Sequence, residues 1–183
     1  MTVITISGLP GCGSSTTGAL LAEKLGLKFF SVGTYTKKIV REDEKIEKKQ
    51  TEYAIDFWKT KRGKSRNHHV AVEVLQQKLA EEGDIVIESK LGIRFVKNSD
   101  FKIWLKAPTE ARIKRYAQRD GNHEDKAKQQ LEEKEKMERE NWKRIYGFDY
   151  FDQEKEADLV IDTSDKSPEK IVDIIIKFMG NKK

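Results

Sequence analysis

Cysteine is almost missing from this sequence. Cys12 is the single one in 183 residues, which excludes an intrachain disulfide and any cysteine-based metal site. No stretch approaches the roughly 20 consecutive apolar residues that a membrane span needs. No basic region precedes the first apolar run, so the opening residues do not read as a secretion signal. A soluble cytoplasmic protein, monomeric and without a membrane contact, is the expectation. The net charge is +5 and 37% of residues are charged, yet the charge is not gathered into a long basic tail. Such a surface suits an anionic ligand. Nucleic acid is not indicated, because the basic turn Lys59 to Arg66 has only Tyr53 and Trp58 nearby to stack on bases. His68-His69 has no third spaced ligand and does not read as a metal site. No carboxylate stands out as an obligatory general base.

What is present is strongly ordered. At this length one main core is expected. Five short runs read as strands: Val3-Ser7, Lys28-Ser31, Asp84-Ile87, Phe101-Leu105 and Leu159-Asp162. Helical stretches separate them, which is the signature of βαβ units on a parallel sheet. Between the first strand and a helix carrying Leu20, Leu21 and Leu25 lie Gly8, Leu9, Pro10, Gly11, Cys12, Gly13, Ser14, Ser15 and Thr16. They fit the phosphate-binding pattern G-x-x-x-x-G-K-[ST], except that serine stands at the lysine position, 14. The glycines allow inward-pointing amides, and the helix N-terminus adds positive potential for a phosphate. Ser15 stands where a hydroxyl holds Mg²⁺, and a Cβ at Gly13 is expected to intrude on the converging amides.

Two stretches read as appendages to the core. Residues 37–78 form an expected helical insertion with an apolar stripe at Tyr53, Phe57 and Trp58. Residues 120–150 form an expected lid-like segment, so charged from His123 to Arg144 that it reads as an exposed helix. Arg112, Arg115 and Arg119 step by three and four, share one helical face and are the candidate catalytic residues for a transferring phosphoryl group. Glu88, just past the third strand, is a second candidate Mg²⁺ ligand. Lys37, Lys38 and Arg41 form a basic cluster able to grip an acceptor phosphate or to keep a helix soluble. Trp104 reads as packing.

With these residues in view, the chain resembles the nucleoside monophosphate kinases, most closely the cytidylate kinases of archaeal type. The resemblance rests on Ile4 to Gly11, Leu21 to Leu27, Ser31-Val32-Gly33, Leu79 to Asp84, Ile103 to Pro108, Ile145 to Asp149 and Asp158 to Ser164. It implies a three-layer α/β sandwich of the phosphate-loop type with a five-stranded parallel sheet, a small helical nucleotide-binding flap and a short lid. It implies ATP as donor, Mg²⁺ as metal, and CMP, dCMP or a related nucleoside monophosphate as acceptor, bound by Lys37, Arg41 and Lys90. The charged positions depart from the family. Besides Ser14, Thr34 and Lys37 replace an aspartate and an arginine, Glu88-Ser89-Lys90 replaces Glu-Gly-Arg, and Val74, Leu75 and Gln76 stand where paired arginines are usual. Near Tyr146-Gly147, Arg139 or Arg144 is the available substitute for a lid arginine. Two alternatives stay open: an ATP-binding protein that has lost or altered transfer, and a kinase for another nucleotide or nucleoside.

Overall fold

The computed structural model describes residues 1–44 and 50–182, with side chains over residues 1–39 and 51–182. Five strands, β1 (Val3–Gly8), β2 (Lys28–Ser31), β3 (Ile85–Glu88), β4 (Phe101–Lys106) and β5 (Leu159–Asp162), form one parallel sheet in the order β2-β3-β1-β4-β5. The expected strands are all present, with ends shifted by no more than a residue. β1 is buried at every position, as a central parallel strand covered on both faces must be.

The helices are α1 (Ser14–Leu25), α2 (Val32–Glu44), α3 (Gln50–Lys59), the single turn α4 (Lys61–Lys64), α5 (Arg66–Glu82), the single turn α6 (Gly92–Phe95), α7 (Thr109–Asp120), α8 (Glu124–Tyr146) and α9 (Pro168–Lys182). α1 stops where Gly26 takes a left-handed φ of 65° and its N–H returns to Ala22 O. α1 and α9 pack on one face of the sheet, burying Leu21, Ile171, Val172 and Ile175 against Ile4, Val86 and Ile103. α5 and α6 cover the other face, where Ala80 and Val96 meet Val3, Ile85 and Ile87. Each such aliphatic side chain contributes about 1.5–3 kcal/mol by leaving water.

A second, aromatic core joins the appendages. Tyr53, Phe57 and Trp58 of α3 are buried with Trp142 and Ile145 of α8 and with Tyr150. The charged stretch after His123 is therefore not an exposed helix. Ala127 and Leu131 of α8 are fully buried against Tyr116 and Ala117 of α7, and Glu138 is 4% exposed. The spacing Ala127, Leu131, Trp142, Ile145 marks a narrow apolar stripe that the surrounding charges conceal. Trp104 is fully buried, as its place in the strand suggests. No described helix is long and apolar enough to cross a membrane.

Candidate active site

The site is built at the carboxyl ends of the strands, where an open parallel sheet leaves a crevice. Leu9 N donates to Leu105 O at 3.2 Å, Cys12 N to Leu9 O at 3.2 Å, and Thr17 N to Gly13 O at 2.9 Å, which opens α1. No described residue accepts from the N–H groups of Gly13, Ser15 or Thr16. These donors form an anion nest at the helix N-terminus. Gly8 is required by space, since a Cβ there lies 2.2 Å from Leu105 O. At Gly11, with φ of +81°, a Cβ meets the Tyr116 ring at 2.9 Å. Gly13 corrects the sequence-based expectation: a Cβ there meets no protein atom within 4 Å, and the constraint is its φ of +90°. Gly11→Ala is accordingly the more damaging change. It combines left-handed strain of about 1–2 kcal/mol with a collision, and should lower the melting temperature more than Gly13→Ala in parallel thermal scans.

The register of the sheet brings Ser31 beside Glu88. Glu88, 7% exposed, accepts hydrogen bonds from Ser14 Oγ at 2.8 Å and Ser31 Oγ at 2.6 Å. The side chain at the lysine position is thus a hydroxyl turned toward a carboxylate. Ser15 and Glu88 line one cavity. They offer the hard oxygen donors that Mg²⁺ takes, and few of them, leaving most of its octahedron to water and phosphate. Among the described residues no group of three or more His, Cys, Asp or Glu could hold a metal alone. The residues fit Mg²⁺ held jointly with a nucleotide.

That cavity, of about 980 Å³, runs from the loop to α3 and α5. Arg115, Arg119, Lys37 and Lys90 line it, together with Lys134, which sequence reading assigned to an exposed helix. The three arginines do not converge. Arg112 is 5% exposed and spends its donors beneath the loop, on Ala107 O at 3.1 Å, Pro10 O at 3.3 Å, Thr109 Oγ1 at 3.2 Å and the Glu135 carboxylate. It is not among the residues that line the cavity, where a catalytic arginine was expected, and it braces the loop from below. Arg115 ties Gly11 O at 3.3 Å to the turn after β5, through Thr163 Oγ1 at 2.9 Å and Ser164 O at 3.3 Å. Arg119 lies 4.3 Å from the Tyr116 ring centroid, and donates to Asp120 at 2.9 Å and to Thr51 of α3. Lys90 donates to Gly8 O at 2.7 Å. Arg139 pairs with Asp149 and Arg144 donates to Lys64 O at 3.0 Å, so neither substitutes for a cavity arginine. The side chain of Arg41 lies outside the described residues.

The far wall is aromatic, with Phe57, Trp58, His69 and Trp142. The Trp58 and His69 rings are stacked at 5.2 Å, and Trp142 meets His69 edge-on at 4.6 Å. Its polar points are Glu73 and Gln76. Gln76 is 2% exposed, and its Oε1 has no hydrogen-bond partner among the described residues. Glu73 accepts from Tyr146 OH. Sequence reading passed over both, although a glutamine standing where the family carries arginine was a usable signal.

Burial pushes Glu73 up to about 7, against the pull of Tyr146 and Arg66. Burial also pushes His69 down to about 4; the Gly63 carbonyl, which accepts from its Nε2 at 2.7 Å, opposes this, while His68 and Arg144 add to it. Glu73 therefore favours folding most below its ordinary value of 4.5, and that contribution is lost as pH rises through 7. His69 favours folding above its ordinary 6.5, and that contribution is lost as pH falls through 4. Between 4.5 and 6.5 the two slopes oppose. Glu73→Gln should uncover the histidine slope, so that the melting temperature climbs more steeply with pH over this interval than in the parent. An unchanged profile would refute the opposition.

A parallel sheet with β1 at its centre, a glycine loop opening α1 and a cation-lined cavity above it define an α/β protein of the phosphate-loop kinase type. Shikimate kinase from Bacteroides thetaiotaomicron superposes with a TM-score of 0.61 at 15% identity, covering 98% of both chains, which is a likeness of fold. Residues 3–165 match the cytidylate kinase-like family, and the chain belongs to it. It is 37% identical to the cytidylate kinase of Methanopyrus kandleri over 94% of this chain and 90% of that one. With the cytidylate kinase of Archaeoglobus fulgidus it shares 32% identity over 98% of this chain and 96% of that one.

Proposed function

We propose that the protein is a cytidylate kinase, moving the terminal phosphoryl group of ATP to CMP or dCMP with Mg²⁺. A phosphate oxygen of CMP forms the new bond to the γ-phosphorus. The bond from that phosphorus to the bridging oxygen breaks, and its electron pair leaves with ADP. The attacking oxygen is already anionic, so no side chain has to remove a proton, and positioning with charge neutralisation carries the reaction. The loop amides and the N-terminus of α1 hold the donor phosphates. Ser15 and Glu88 would hold Mg²⁺, which when bound would supply charge neutralisation to the donor phosphates. Arg119 stabilises charge on the group in flight. Residues 37–78 act as the acceptor flap and 120–150 as the lid, and together they keep water from competing for the phosphoryl group.

The observation that carries this reading is the single cavity joining the phosphate loop to the aromatic wall. Its size lies at the upper end of the roughly 300–1,000 Å³ usual for ligand pockets, as a two-substrate site requires. A flat base stacks on such a wall, and Gln76, which lines it, brings an amide able to pair with a base carrying an exocyclic amine, as cytosine does. The test is ADP formation from Mg-ATP with CMP, dCMP, UMP, AMP and GMP in turn. CMP and dCMP should lead the panel, and Gln76→Leu should raise KM for CMP about 10- to 100-fold. ATP binding without transfer to any acceptor would overturn the proposal.

A further inference from the structure

The phosphate loop lacks its own cation, since Ser14 Oγ is committed to Glu88 at 2.8 Å. A second segment brings a cation to the same place. β3 pairs directly with β1, so the residues after Glu88 emerge beside the residues after Gly8. Lys90 is the second of them. Its ammonium donates to Gly8 O at 2.7 Å, at the first residue of the loop. It lies 4.0 Å from Glu138 Oε2 and 5.7 Å from the centroid of the Tyr150 ring. Its side chain keeps 23% exposure, and that exposure opens on the cavity. Cys12 registers this charge from inside the loop. Burial pushes the thiol up, and Lys90 is the strongest of the charges acting on it, ahead of Glu88 and Arg112.

Glu138 makes the arrangement adjustable. This buried carboxylate of α8 accepts from Tyr150 OH at 2.9 Å and stands 3.7 Å from the ammonium of Lys134. At 4.0 Å the Lys90 contact is an ion pair without a close hydrogen bond, so the ammonium has donors left for an incoming anion. A four-carbon stem lets it swing while its point charge stays at the loop mouth.

We propose that Lys90 supplies, from the end of β3, the cation for the donor β- and γ-phosphates that position 14 of the loop does not. This rests on the ATP-dependent transfer proposed above, and it gives Lys90 a donor-side role in place of an acceptor-side one. A lysine anywhere at the mouth of the nest performs the electrostatic part of the work, because the interaction depends on distance and not on which strand carries the stem.

The test uses the full chain as parent, Lys90→Met, Ser14→Lys and the double variant. Each is titrated with ATP and ADP, assayed with CMP, and checked for folding by thermal unfolding. Lys90→Met should weaken ATP and ADP binding about 10- to 100-fold, the size of one charge-assisted hydrogen bond. Its KM for CMP should change less. Adding Ser14→Lys to it should recover most of the lost donor affinity, a larger gain than Ser14→Lys produces in the parent. Lys90→Met that leaves ATP affinity intact and raises only KM for CMP would overturn the proposal and return Lys90 to the acceptor. Ser14→Lys alone strengthening ATP binding about tenfold or more would also overturn it, even if Lys90→Met did not fold, because the parent loop would then lack a cation. A parent that binds ATP but transfers nothing to CMP would refute the cytidylate kinase reading alone, since the ATP titrations still judge Lys90.

Discussion

Replacing Arg119 by lysine is expected to lower turnover about 10- to 1000-fold while shifting ATP affinity by no more than a few-fold. Its guanidinium carbon lies 4.3 Å from the centroid of the Tyr116 ring and the group is pinned by Asp120, with Thr51 of α3 as a further partner. The fork is fixed in orientation where it lines the cavity. Lysine would keep the charge but lose the orientation, and contacts made mainly in the transition state appear in kcat. Arg115→Lys should behave differently. Its donors are spent on Gly11 O and on the Thr163–Ser164 turn, so the change should loosen the loop and weaken donor binding more than it slows transfer. Steady-state kinetics beside ATP titrations separate the two patterns, and a normal kcat for Arg119→Lys would remove it from the catalytic set.

The second large effect is on stability. Arg112→Met is expected to cost about 3–5 kcal/mol, the range for breaking a buried ion pair by removing one partner. The Glu135 carboxylate, 20% exposed on its side chain, would lose its cation, and the carbonyls of Ala107 and Pro10 would lose their donor. Pro10 lies in the phosphate loop, so nucleotide affinity should fall with stability. Denaturant unfolding gives the first quantity and ADP titration the second. A variant as stable as the parent would show that Arg112 does not brace the loop.

The sheet was legible because its signal is local. Val3-Ile4 and Ile85-Val86-Ile87 are apolar runs bounded by polar residues, and both edges of each strand can be read from neighbours in the chain. The loop was legible for the same reason, since its glycines and Ser15 lie within eight consecutive residues, Gly8 to Ser15. α8 was not. Its glutamates and lysines outnumber its apolar residues, and the stripe that faces α3 and α7 is one residue wide in places. Nor does a repeat of three and four say what each arginine on a face will meet. Arg112, Arg115 and Arg119 share a face of α7, yet one points under the loop, one to the β5 turn and one to α3.

The amino-acid sequence by itself determined the strand set, the glycine loop opening the first helix, and the serine at its lysine position, because each is written in adjacent residues. Tertiary structure alone decided which charges reach the cavity. Lys90 arrives at Gly8 because β3 pairs with β1, and Lys134 is drawn inward with Glu138 because α8 packs on α7 and α3. A cation acts through distance, and the distances between these groups are set by strand order and helix packing rather than by separation along the chain.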